Sequence, residues 1–169
     1  LGFSILMTGM QTMSGAVAPL RESKVFIDML TMFSNPLAGI LVGILFTAVL
    51  QSASATVGVL QALSVTGILT FASAFPIVLG IGVGAACPVL ISAIGANKNA
   101  KRAAMIHLYF NLIGTVVFMS LFYLINTAVH FPFMTQMATP ATIAITHSVF
   151  NITATLVWLP FSNLLVKLA

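Results

Sequence analysis

Along its length the chain alternates long apolar stretches with brief polar interruptions. Leu1 to Met13 is apolar but short, and reads as the end of a helix begun upstream, in a chain that is part of a longer protein. Between Pro19 and Ser34 the pattern changes. Val25, Phe26, Met29, Leu30, Met32 and Phe33 recur at helical spacing on one side, while Arg21, Glu22, Lys24 and Asp28 supply the polar positions. That pattern predicts an amphipathic helix over 19–34. Ser34-Asn35-Pro36 then stops one helix and starts another, with Pro36 suited to a first helical turn.

From Leu37 to Ile94 the pattern is apolar but interrupted. Leu37 to Leu50 predicts a helix in which Gly39 and Gly43, four residues apart, allow close helix approach. It runs into Gln51-Ser52-Ala53-Ser54-Ala55-Thr56, a polar cluster. A second apolar piece reaches Leu63, Ser64-Val65-Thr66-Gly67 reads as a turn, and a third piece runs from Ile68 to Leu79. Gly80-Ile81-Gly82-Val83-Gly84-Ala85-Ala86-Cys87-Pro88 follows, a poor continuous helix by propensity. Residues 36–94 are therefore expected to form re-entrant or broken helices, with Gly80, Gly82 and Gly84 as irregular backbone lining a site.

Two fuller spans are predicted over 103–128 and 141–166, joined by His130 to Pro140. They share a repeat: His107, Phe110, Asn111 and Thr115 recur as His147, Phe150, Asn151 and Thr155. Helical spacing places His107, Asn111 and Thr115 on one stripe, and His147, Asn151 and Thr155 on another. Each polar line is expected to face protein and hydrogen-bond between helices.

Composition identifies the solvent. Of 169 residues 60% are hydrophobic and 5% charged, with a mean hydropathy of +1.15. So few polar groups cannot cover a water-soluble surface. The charges cluster at Arg21 to Asp28, at Lys98, Lys101 and Arg102, and at Lys167. Met29 to Asn97 and Ala103 to Val166 carry none, room for two or three crossings each at about 20 residues per span. The chain is thus expected to be an all-α integral membrane protein, multi-pass in the cell membrane, with its 19–34 helix at the interface. Lys98, Lys101 and Arg102, read as a short loop, lie on the cytoplasmic side by the positive-inside rule.

Several functions drop out. The net charge of +4 belongs to a few interfacial residues and has no aromatic interleaving, so no nucleic-acid partner is expected. Cys87 is the only cysteine, which excludes an intrachain disulfide and a cysteine-built metal site. Glu22 and Asp28 are not placed for acid-base work, and no catalytic constellation is visible, so the chain is not expected to be an enzyme.

The Gln51 to Thr56 cluster is open to two readings, a small-residue packing contact or a site. As a site, Gln51, Ser52, Ser54 and Thr56 set amide and hydroxyl groups beside the free N–H groups of a helix N-terminus, which suits an anion. The same oxygens suit a sodium ion. No intramembrane Lys or Arg would balance the anion, so cations must accompany it. Entry of a dianion into a negative-inside cell also costs about 2.3 kcal/mol per charge per 100 mV, which co-transported cations offset.

Ser34-Asn35-Pro36-Leu37, Gln51-Ser52-Ala53-Ser54-Ala55, Gly95-Ala-Asn97-Lys-Asn-Ala-Lys101-Arg102 and the His107 to Thr115 run occur in an order that resembles the sodium-dependent phosphate cotransporter family over nearly the whole chain. The resemblance implies a transporter built from two inverted repeats whose Gln-Ser-Ser-Ser motifs meet near the membrane centre. This chain is similar to the second repeat. It implies Gln51, Ser52 and Ser54 as ligands at the tip of a re-entrant hairpin, with Thr56 and Thr47 beside them. Inorganic phosphate would be the substrate and sodium the coupling ion, with no other cofactor. A second repeat, from the same polypeptide or a partner chain, would complete the site. Two positions depart from the pattern: Ala53 replaces a serine, and Gly82 and Ala85 stand where the family's Gly-x-Asn-Ile-Gly-Thr has Asn and Thr. The expected function is sodium-coupled phosphate symport. The alternatives are a non-transporting structural or regulatory subunit with a degenerate ion site, or transport of another substrate or coupling ion.

Overall fold

A computed structural model describes residues 2–17, 19 and 35–169. Eight α-helices occur among them: α1 Gly2–Val17, α2 Pro36–Leu50, α3 Ala53–Val65, α4 Phe71–Gly84, α5 Ala86–Ser92, α6 Lys98–Val129, α7 Pro140–Trp158 and α8 Ser162–Leu168. The amphipathic helix expected over 19–34 lies outside the described residues, apart from Pro19. Among the described residues, three stretches are long and apolar enough to cross a membrane: Phe71–Ser92, Lys98–Val129 and Pro140–Leu168.

Local chemistry starts and stops the helices. The Asn35 side chain accepts from the Leu37 amide at 3.0 Å with Pro36 in the first turn, and Thr70, Asn97 and Thr139 cap α4, α6 and α7 in the same manner. Several boundaries differ from the sequence reading. α1 runs to Val17 rather than ending at Met13. Residues 68–70 are not helical: Thr70 pairs with Met137, and Leu69 accepts the Ala138 amide at 2.7 Å. Lys98, Lys101 and Arg102 do not form a loop, because the Asn97 cap starts α6 ahead of them. The span expected over 141–166 is interrupted at Leu159–Phe161, where Pro160 cannot continue the hydrogen-bond ladder.

Packing organises these helices around α4, which is buried from Ala74 to Gly84. α2 lies against it in the same direction. A Cβ on Gly39 would meet Pro76, one on Gly43 would meet the backbone of Ile77 and Gly80, and one on Gly84 would meet Thr47. α6 runs the opposite way, setting Asn111 beside Gly82 and Thr115 beside Leu79. α7 is antiparallel to α6, with Phe150 against Phe118 and the Trp158 indole donating to the Phe110 carbonyl at 3.2 Å. α3 turns back from the end of α2, and its Gln61 amide donates to Pro140 at the start of α7. The beginnings of α2, α4 and α7 and the end of α3 thus share one end of the molecule. The junction of α2 and α3 lies level with the end of α4.

Candidate functional site

The Gln51 cluster occupies that junction. Gln51 ends α2 in a left-handed conformation, φ 53°, and its amide bonds the Thr47 carbonyl at 2.7 Å. Ser52 is extended and caps α3, its hydroxyl accepting from the Ala55 amide at 3.2 Å and lying 3.2 Å from the Ser54 hydroxyl. The chain therefore reverses within two residues and presents the first-turn amides of α3 beside two hydroxyls. Such an N-terminus favours an anion through its unpaired N–H groups and dipole. Gln51 and Ser54 are exposed and Ser52 half-buried.

Thr56 and Thr47 face inward and differ from each other. The Thr56 hydroxyl is satisfied, donating to the Ser52 carbonyl at 2.9 Å, so it braces the turn. Thr47 is 0% exposed, and its hydroxyl has no hydrogen-bond partner among the described residues. It packs against Gly84, where a Cβ would lie 2.7 Å from its own.

Gly80, Gly82 and Gly84 are not irregular backbone. α4 stays helical through all three, and Ala85 joins α5 with φ −62° and ψ −19°. Tertiary contact overrides propensity here, because glycine lets two backbones touch: a Cβ on Gly80 would sit 2.2 Å from the Ile40 carbonyl oxygen. Gly80 and Gly84 are packing positions against α2. Gly82 instead faces Asn111 and Phe150, both 3.1 Å from its would-be Cβ. Pro88 still leaves a mark, since it offers no amide to the Gly84 carbonyl four residues earlier.

The two polar stripes behave differently from each other. In α6, Asn111 and Thr115 are buried, and Thr115 donates to the Leu79 carbonyl of α4 at 3.3 Å. Asn111 donates to His107 of its own helix at 3.0 Å. In α7, Asn151 donates to His147 at 2.7 Å and Thr155 to Asn151 at 2.7 Å, bonds within one helix, and Thr155 is exposed. The expected interhelical bonding thus reduces to Thr115: the α7 hydroxyl and amide find nearer acceptors one turn back.

Two apolar cavities lie on either side of Phe118, away from the Gln51 cluster. One of about 360 Å³ is lined by Phe71, Phe75 and Phe122, the other of about 300 Å³ by Gly114, Val157 and Trp158. Among the described residues no group of His, Cys, Asp or Glu could hold a metal ion.

The orphaned Thr47 hydroxyl and the role of Pro88 escaped sequence reasoning in part: Thr47 stood out only by resemblance, and its lack of a partner is a property of packing.

Comparison with known proteins gives concordant results. The family model described as Na+/Pi-cotransporter matches residues 5–154. The chain is 27% identical over 99% of its length to the uncharacterized protein YqeW of Bacillus subtilis (strain 168), covering 54% of that protein. It is 32% identical over 69% of its length to sodium-dependent phosphate transport protein 2A of Rattus norvegicus, covering 18% of it. It is 24% identical over 95% of its length to YjbB of Escherichia coli (strain K12), whose name refers to inorganic phosphate export, covering 29% of it. The chain thus spans about half of the first of these relatives and less of the others. No solved structure matches it significantly. With its match running almost from end to end, the chain belongs to the Na+/Pi-cotransporter family.

Proposed function

We propose that this chain supplies one repeat of a sodium-coupled phosphate symporter, multi-pass in the cell membrane, with the Gln51 cluster as its half of the transport site. The observation that carries this reading is the reversal at Gln51 and Ser52. It sets an anion-favouring helix N-terminus where two apolar helices reverse, level with the end of α4. In a bilayer α2 and α3 form a re-entrant hairpin, which enters and leaves on one side, opposite the cytoplasmic Lys98, Lys101 and Arg102. Gln51, Ser52 and Ser54 hold phosphate. A second, inverted repeat covers their exposed side with its own motif. Sodium neutralises the bound anion, since the described residues bring no cation to this junction.

The relatives support phosphate as substrate, and the name of YjbB admits the outward direction. The test is phosphate uptake by the full polypeptide in liposomes under imposed sodium gradients. Gln51→Ala with Ser54→Ala abolishes uptake; unchanged uptake in that double variant sinks the assignment.

A second reading, a non-transporting subunit with a degenerate ion site, has its own support. α4 is helical through Gly80 to Gly84, and Asn111 with Phe150 fills the space beside Gly82, so that segment frees few carbonyls. Gradient-independent liposomes with folded protein favour this reading.

A further inference from the structure

The Lys and Arg side chains among the described residues, those of Lys98, Lys101, Arg102 and Lys167, gather at one end of the molecule. Arg102 fixes their arrangement: its guanidinium donates to the Val166 carbonyl at 2.8 Å and so holds the end of α8 beside the start of α6. Trp158 donating to Phe110 continues the same antiparallel register deeper along α6. Lys98, Lys101 and Lys167 are exposed. No Asp or Glu side chain occurs among the described residues, so none of them neutralises the cluster. From this end an apolar groove of about 300 Å³ runs along α6, lined by Gly114, Val117 and Leu121 on one side and by Val157, Trp158 and Leu164 on the other. Leu164 shares the short α8 with Lys167 and so stands near the charged mouth. Gly114 lies about 18 Å along α6 from Arg102 at 1.5 Å per residue, close to the thickness of one leaflet.

We propose that this groove binds an anionic phospholipid, with an acyl chain along Gly114 and Val157 and the lipid phosphate among Lys98, Lys101 and Lys167. The inference rests on α6 and α7 crossing the membrane, and on neither phosphate transport nor the Gln51 cluster. Any lipid chain can fill an apolar groove, whereas the basic mouth selects the charge of the headgroup above it. Basic pockets between spanning helices take anionic headgroups in this manner. The long lysine stems reach along the apolar surface to bring their ammonium groups to headgroup level. Arg102, half-buried and bonded to Val166 through one nitrogen, keeps further N–H groups for a phosphate oxygen. A second copy of this chain fits the groove less well. Symmetric pairing of the two copies would bring their basic clusters together with no acid from the described residues between them.

Trp158 lines the groove and so reports its occupant. The purified full polypeptide is reconstituted in phosphatidylcholine vesicles with increasing fractions of phosphatidylglycerol, or of phosphatidylcholine, carrying brominated chains. Quenching at Trp158 is taken as the difference from Trp158→Phe. One cation near the surface favours an anionic lipid roughly fivefold, so brominated phosphatidylglycerol should reach half-maximal quenching at roughly a fifth or less of the fraction that brominated phosphatidylcholine needs. Lys98→Gln with Lys101→Gln and Lys167→Gln removes that preference, and Lys101→Gln with Lys167→Gln serves if the triple variant does not fold. Val157→Phe, which fills the groove, weakens quenching by both lipids. Should Trp158→Phe not fold, melting temperature gives the second measure: phosphatidylglycerol raises it in the native protein and not in the lysine variants. Equal responses to the two lipids overturn the proposal, as does a preference that survives loss of the lysines. Quenching by neither lipid also overturns it, and shows that protein covers the groove.

Discussion

Asn111 directs its amide oxygen at Gly82 so closely that a Cβ at position 82 would lie 3.1 Å from it, and equally close to the Phe150 ring. The asparagine that the resemblance implies at this position therefore has no room here. Gly82→Ala should cost about 1–3 kcal/mol through overpacking, because Phe150 is fully buried and cannot yield freely. Gly82→Asn with Ala85→Thr should destabilise further and produce no gain in sodium-dependent phosphate binding. Thermal unfolding and calorimetry on the same samples check both outcomes.

The α2 and α4 contact is less forgiving. Gly43→Ala would drive a methyl to 2.2 Å from the Ile77 carbonyl oxygen, and Gly80→Ala to the same distance from that of Ile40. Backbone cannot swing aside as a side chain does, so each should cost about 3 kcal/mol or more. Gly58→Ala is the control, its nearest neighbour being the Met13 methyl at 3.5 Å. Yield and melting temperature should fall for the first two and hold for the third.

Gln51 separates structure from ligand chemistry. Its left-handed backbone favours glycine, so Gln51→Gly should relieve about 1 kcal/mol of strain and raise the melting temperature. The same variant removes the amide and should weaken phosphate binding at least as much as Gln51→Ala. A stabilised protein with native phosphate affinity would reassign Gln51 to the turn alone.

Thr115 and Thr155 occupy equivalent places in the repeat but not in the structure. Thr115→Val removes a buried bond to another helix and should cost about 0.6 kcal/mol. Thr155→Val removes an exposed bond within α7 and should cost less. Parallel unfolding curves measure the difference.

Much of this architecture is legible in the residues. Charge-free stretches hold most of the helices long and apolar enough to cross a membrane, Asn35-Pro36 marks the start of α2, and the polar run at Gln51 marks the reversal. The glycine run was misleading for a physical reason: propensity treats Gly80, Gly82 and Gly84 as helix breakers, whereas the partner helix uses their missing side chains as room. Repetition misled similarly. His107 to Thr115 and His147 to Thr155 share a spacing, but Thr115 bonds α4 whereas Asn151 and Thr155 bond within their own helix and Thr155 is exposed.

The contact between α2 and α4 also interlocks the two helices along their length. Gly39 meets Pro76, Gly43 meets Gly80 and Thr47 meets Gly84, one tooth per helical turn. Beside these contacts the Ile40 and Ile44 backbones lie directly against Gly80 and Gly84. With backbone against backbone at two of these levels, sliding α2 along α4 would drive atoms of one helix into the other. The Gln51 tip is thereby tied to the end of α4, so that a displacement of one helix carries the other with it.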